Sequence, residues 1–397
     1  MRNIIITGGG LANKGAQAMT LITVDALRQR YPEHQIFLYS EADRHRPQSE
    51  KAIYNFDFTG WYPLKFARCQ QNPFLRAVTL LKNHSEFTEA EKIYKNTDFI
   101  VDISGYALGS NWSDKICNDF LDILEFAQCF EIPVYLMPQS FGPFDFGQER
   151  KELDRRIQKL LPTVKMIFAR EQEGYDAIIN TYNLTNVYLA QDLVLSSKEI
   201  DLACVFKTPP DFIVPTILPK SVALIPNVMN ASVVENISVQ SFFEDIINDL
   251  VRHEKNVYII AHSEMDVSFC RSLKEAFNEN RHVIFLDRDF NCLEFNELVK
   301  QFDYCVASRY HSIVHAYKKG VPCIAVGWAA KYLNLLKLFG QEQYMFDLRK
   351  QVNPIELSDA ITRIEKSHRT ESDKILRKLA RLQEQNVFDI LSEYEKK

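Results

Sequence analysis

Two rhythms of apolar and polar positions alternate along the chain. Short, nearly unbroken apolar runs are followed by longer stretches in which apolar residues recur every three or four positions. The runs predict strands at 3–7, 35–40, 98–103, 134–137, 166–169 and 186–189. The longer stretches predict helices at 16–30, 114–130, 149–160 and 171–181, the first with Leu21, Val24 and Leu27 on one face. Continuous apolar strands alternating with amphipathic helices imply a parallel sheet covered on both faces.

The rhythm breaks at 207–220, where Pro209, Pro210, Pro215 and Pro219 give a linker composition. It then restarts, with strands at 222–225, 257–261, 283–286, 304–307 and 323–326 and helices at 242–253, 267–278, 294–301 and 312–319. From 355 onward the pattern is helical, with Ile375, Leu379, Leu382 and Val387 as an apolar stripe. The expected fold is α/β, with two doubly wound Rossmann-like domains facing a cleft. The first covers 1–206, the linker 207–220 and the second 221–354, and the C-terminal helices at 355–397 reach back to the first domain. A length of 397 residues, more than one core ordinarily serves, agrees with two domains.

Composition narrows the partners. A net charge of −5 argues against bulk nucleic-acid binding. Eight cysteines are scattered singly without zinc-site spacing, which reads as reduced core cysteines of a cytoplasmic protein. The first strand begins at Asn3, so no signal peptide is expected, and no apolar stretch approaches the ~20 residues that span a bilayer. One segment stands apart. Residues 58–85 contain no acid, while Lys65, Arg68, Arg76 and Lys82 interleave with Trp61, Tyr62, Phe66 and Phe74. Such an insertion suits peripheral contact with an anionic surface at the inner face of the cell membrane. Ordinary packing on the first domain accounts for the same composition.

Candidate chemistry sits where strands end. Ser308-Arg309-Tyr310-His311-Ser312 follows the apolar run at 304–307 and opens the next helix. Open α/β sheets bind ligands at that edge, and a helix amino terminus favours anions. Arg309 adds a planar fork for a carboxylate or phosphate, and His311 a group that moves protons near neutral pH. His315 lies one turn further, but HxxxH without an accompanying glutamate base is not a familiar metal set.

Other strand ends repeat the logic. Gly10, Asn13 and Gly15 lie in a glycine-containing turn before the first helix, either as ligand contacts or as a tight turn. Asp102 either bonds a neighbouring backbone N–H or faces an acceptor hydroxyl. Gln139 follows the strand at 134–137 in a rigid Pro- and Gly-containing loop, either bonding a polar ligand or as part of a structural turn. Arg170 stands at a helix start, where a cation needs an anion, either a bound ligand or a nearby carboxylate. In the second half Asn227, His262 and Lys331 occupy equivalent places.

Together these segments resemble the polysaccharide pyruvyl transferases, from Gly8-Gly9-Gly10 through Lys331. Ser308-Arg309-Tyr310-His311-Ser312, then Ala316, Gly320, Pro322 and Ala330-Lys331, is similar to the family's Arg-Leu-His motif, helix, Gly-x-Pro and later lysine. Ala169-Arg170-Glu171 resembles the central arginine segment and Asn13-Lys14-Gly15 the amino-terminal loop. Gly105-Tyr106-Ala107-Leu108-Gly109 departs from the glycine run often found there, and Tyr310 replaces the usual leucine.

The resemblance implies an architecture like that of GT-B glycosyltransferases, and phosphoenolpyruvate as co-substrate with no further cofactor and no metal. The product would be a cyclic pyruvate ketal on a sugar of a lipid-linked precursor of a surface or capsular polysaccharide. It implies donor binding by Arg170, Arg309, Lys331 and Ser312. His311 would be general acid or phosphate ligand, and Asp102 would orient or deprotonate the sugar hydroxyl. The alternatives are a GT-B glycosyltransferase using a nucleotide sugar, or a non-catalytic partner in polysaccharide assembly.

Overall fold

The computed structural model describes residues 2–60, 72–82, 84–232, 238–328, 330–350 and 352–395. The chain forms two compact units. The first comprises Met1–Ala12, Ala16–Pro210 and Gln385–Lys397, the second Asn13–Gly15 and Asp211–Glu384.

The first unit is built on a parallel sheet of β1 (Asn3–Thr7), β2 (Gln35–Tyr39), β3 (Asp57–Thr59), β4 (Thr97–Asp102), β5 (Val134–Gln139), β6 (Met166–Ala169) and β7 (Val187–Leu189). Their order is β3-β2-β1-β4-β5-β6-β7. Every residue of β1, β5 and β6 is buried, as expected of strands covered on both faces. β1 lies in register with β4 so that Ile5 stands beside Ile100 and Thr7 beside Asp102. The core on one face joins Ile5 and Leu136 to Phe120 and Leu124 of the helix Asp114–Cys129. β3 does not show in the apolar pattern because Asp57 breaks its three-residue run, DFT.

The second unit repeats the plan with β8 (Ser221–Ile225), β9 (Asn256–Ile259), β10 (Val283–Phe285), β11 (Tyr304–Ala307), β12 (Cys323–Gly327) and β13 (Met345–Asp347). The order is β10-β9-β8-β11-β12-β13, again parallel. Both sheets therefore reverse their winding beside the first strand of the unit. These switch points, β1/β4 and β8/β11, are where doubly wound sheets hold ligands.

The tail forms two helices. Asn353 caps the helix Pro354–Leu382, which belongs to the second unit, while Val387–Glu395 packs with the first. Gln383 to Asn386 interrupt the helix, and the burial stripe restarts at Val387 and Phe388. No helix among the described residues is long and apolar enough to cross a membrane.

Candidate active site

The β8/β11 switch point is closed by polar side chains. Asn227, just past β8, donates Nδ2 to the Ser308 carbonyl at 3.3 Å, and Tyr332 donates its hydroxyl to the same oxygen at 2.9 Å. The backbone is thereby fixed where β11 hands over to the helix Tyr310–Lys318, of which Arg309 is the N-cap. The sequence pattern started this helix at 312. It begins two residues earlier, so Tyr310 and His311 form its first turn.

Arg309 is held in one orientation. Its Nε and Nη2 donate to the two carboxylate oxygens of Asp266, at 2.9 and 2.7 Å. Asp266 is fully buried and also accepts the Val228 N–H at 3.1 Å. Among the described residues Nη1 of Arg309 makes no hydrogen bond, and one fifth of the side chain is exposed. The guanidinium is preorganised, but the pair as a whole is neutral. An anion here must draw its charge balance from the helix amino end and from Lys331. Lys331 lies over the Tyr310 ring, 5.2 Å from its centroid.

Three histidines gather behind this point, two buried and one half-buried. His262 and His315 are buried, with ring centroids 6.1 Å apart. Burial, His315 and Lys14 depress His262 well below the usual histidine range, in that order of weight. Burial and then His311 push His315 down to about 3. Nδ1 of His315 meets Asn296 Oδ1 at 2.8 Å; since a carbonyl oxygen only accepts, the proton sits on Nδ1. Both rings are thus neutral near pH 7. His311 is half-buried on the first turn, edge-on to Tyr310.

The segment Asn13–Gly15, counted with the second unit, completes the cluster. Lys14 is 4% exposed and donates Nζ to Asp289 at 2.7 Å and to the His262 carbonyl at 3.1 Å. Asn13 Oδ1 accepts the Gly15 N–H at 2.9 Å. A methyl group on Gly15 would overlap the His311 ring, so this position needs glycine for close approach. Three further buried groups make no hydrogen bond among the described residues: the Asn230 amide, His262 Nε2 and Ser308 Oγ. They lie in the loops after β8, β9 and β11, and buried polar groups without protein partners mark places for a polar ligand or ordered water.

Ser312 lies in the first turn of the same helix. It is fully buried and gives its hydroxyl proton to the Arg309 carbonyl at 2.6 Å. A hydroxyl has one proton to donate, so it stabilises the helix start.

In the first unit the strand-end residues are already paired. Asp102 is 1% exposed and accepts from Thr7 Oγ1 at 2.8 Å, Ser104 Oγ at 3.0 Å, the Ser104 N–H at 3.1 Å and Gln139 Nε2 at 3.3 Å. Burial raises its carboxyl pKa, while these donors pull it back. This is the backbone-bonding alternative, extended into a staple across the β1/β4 switch point.

Arg170 likewise realises its salt-bridge alternative. Nε reaches Glu171 at 2.8 Å and Ser140 Oγ at 3.0 Å, and Nη1 reaches Asp192 at 3.1 Å. Two carboxylates around one guanidinium make a locally negative group, which does not attract a dianion. Gly10 donates its N–H to Thr20 Oγ1 at 3.1 Å, and Leu11 to Asp43 at 3.0 Å, which gives the glycine segment a fixed turn.

Asp266, Lys14, Ser308 and Asn230 were not singled out as site residues from the sequence. Asp266 lies in a short 3-10 turn at Glu264–Asp266 with no apolar periodicity of its own. Only a search for a carboxylate partner to Arg309 would have pointed to it.

Comparison with known proteins gives a family and a fold. The family profile described as polysaccharide pyruvyl transferase matches residues 13–329. No curated protein matches the sequence. Among solved structures, UDP-GlcNAc 2-epimerase from Methanocaldococcus jannaschii is 12% identical with a TM-score of 0.55, over 91% of this chain and 92% of that one. A glycosyltransferase from Rickettsia africae is 10% identical with a TM-score of 0.53, over 95% and 94%. At such identities the likeness is one of fold alone, that of two-domain Rossmann-like sugar enzymes.

Proposed function

The chain belongs to the polysaccharide pyruvyl transferase family, and from that premise we propose that it transfers pyruvate from phosphoenolpyruvate to two hydroxyls of one sugar, as a cyclic ketal. The acceptor in this reading is a lipid-linked precursor of a surface polysaccharide. The observation that carries the assignment of roles is the division among the three histidines. His262 and His315 are kept neutral by burial, whereas His311 stands half-buried beside the anchored Arg309.

The chemistry follows from that division. His311 gives a proton to the donor's methylene carbon, which becomes the methyl group and leaves C2 electron-deficient. A sugar hydroxyl adds to C2 and loses its proton. The C2–O bond to phosphate then breaks, and the second hydroxyl closes the ring at C2. One hydroxyl proton leaves with phosphate and the other restores His311. Nη1 of Arg309, the amino end of Tyr310–Lys318 and Lys331 hold the donor's anionic groups. Positioned proton transfer contributes ~10²–10⁴-fold in such steps. Asp102 and Arg170 are positioning residues in this scheme. They fix the carboxyl-edge loops of the first sheet, which we assign to the sugar.

Calorimetry with phosphoenolpyruvate and with a panel of nucleoside diphosphates tests the donor. Binding of phosphoenolpyruvate that weakens in Arg309→Met supports the reading. Tight binding of a nucleoside diphosphate, with none of phosphoenolpyruvate, would favour a nucleotide-sugar glycosyltransferase instead.

A further inference from the structure

The helix Pro73–Lys82 shows an apolar face that the first unit does not cover. Phe74 is 78% exposed and Leu81 87%, the two most exposed large apolar side chains among the described residues. With Ala77, also exposed, they form one stripe at i, i+3 and i+7. The helix is nonetheless anchored. Asn72 caps its first N–H groups at 3.1 Å, Leu75 and Leu80 pack on the first core, and Arg76 pairs with Glu91 at 2.9 Å. Leu75 and Leu80 therefore account for the packing alternative, while Phe74 and Leu81 are left over.

We propose that the Phe74, Ala77 and Leu81 stripe docks on an anionic lipid surface. The stripe ends on a cation: Lys82 is exposed there, no acidic residue occurs from 58 to 85 in a chain whose net charge is −5, and Glu86, the first acid beyond, is paired with Arg44 at 3.6 Å, while Glu89 is exposed on the next helix. Lys65 and Arg68 belong to the same acid-free sequence but lie outside the described residues. The size of the stripe also selects the occupant. Two large side chains bury at most roughly 500 Å², well short of the roughly 1,200 Å² of a stable protein interface. Shallow insertion of one helix face beside lysines suits reversible bilayer contact. The value of such contact for reaching a lipid-linked acceptor rests on the proposed function; the docking itself does not.

Co-sedimentation of the full chain with phosphatidylcholine vesicles, with and without phosphatidylglycerol, tests this without any activity readout. The chain should sediment with the anionic vesicles, less so as salt rises. Phe74→Ser with Leu81→Ser should weaken that binding about tenfold or more, and Lys82→Glu should weaken it separately. All three positions face solvent, so circular dichroism and melting should be unchanged. Equal binding to both vesicle types, no binding, or undiminished binding by the double variant overturns the proposal. So does self-association in sedimentation velocity that the double variant abolishes, since a second copy would then be the occupant.

Discussion

Asp266 accepts both Nε and Nη2 of Arg309, at 2.9 and 2.7 Å, from a fully buried position. The arginine at the strand end is thus aimed before any ligand arrives. Removing a buried partner leaves an uncompensated charge, so Asp266→Ala should destabilise the fold by about 3–5 kcal/mol. Asp266→Asn keeps one acceptor and should cost less. It should still loosen the fork and lower kcat/KM by about 10²-fold, since small misplacements of a positioning group have effects of that order. Chemical denaturation together with steady-state kinetics separates the two effects. Wild-type kcat/KM in Asp266→Asn would show that the pair is not needed to aim Arg309.

Gly15 offers a second test because propensity and packing disagree there. It lies in the first turn of the helix Lys14–Arg30, where alanine is favoured over glycine by up to about 1 kcal/mol. Its Cβ would nevertheless overlap the His311 ring. Gly15→Ala should therefore lower activity by about 10²-fold or more without raising the melting temperature. A more stable, fully active Gly15→Ala protein would disprove the contact.

The two neutral histidines give stability an acid limb. Unfolded, a histidine takes its proton near 6.5, whereas folded His315 does so only at about 3, and His262 is lowered as well. Below about pH 6.5 the unfolded chain binds protons that the folded chain refuses. Stability from this source is complete above that pH and falls as pH drops toward 3. The urea midpoint should decrease between pH 7 and 5, and His315→Gln should flatten the decrease. Lys14→Met should flatten it too, since the Lys14 ammonium is one of the charges holding both rings neutral.

Asp102 separates positioning from catalysis. Its carboxylate accepts from Thr7, Ser104 and Gln139, and an amide would turn an NH2 group toward one of these donors. Asp102→Asn should destabilise by about 1–3 kcal/mol, the cost of an unsatisfied buried group. The loss of turnover should stay within about tenfold, well below the ~10²–10⁴-fold of a missing acid or base. An unchanged melting curve with turnover abolished would restore the direct catalytic role.

Much of this was legible in the chain because parallel strands buried on both faces leave unbroken apolar runs. β1, β5, β6, β8, β11 and β12 all show them, and each carries a candidate site residue at or shortly beyond its carboxyl end. β3 and β13 escaped because an aspartate breaks each three-residue run (DFT and MFD), whereas the equally short edge strands β7 and β10 are apolar throughout (VYL and VIF). Arg309 and His311 could be read from their place between a strand and a helix. Whether a charged residue is already paired could not, because its partner lies far away in sequence. Arg170 meets Asp192 and Asp102 meets Thr7, pairings set by which strands adjoin. His262 and His315 look like His311 in a sequence, and only burial tells them apart.

The most direct measurement of the central claim is release of inorganic phosphate from phosphoenolpyruvate in the presence of lipid-linked galactose- and mannose-containing acceptors, with the product sugar followed by NMR. The expected result is phosphate release matched by ketal formation in the wild-type protein. It should be lost in His311→Gln, whose circular dichroism and melting stay unchanged. Undiminished turnover in His311→Gln, or no phosphate release with any acceptor, would contradict it.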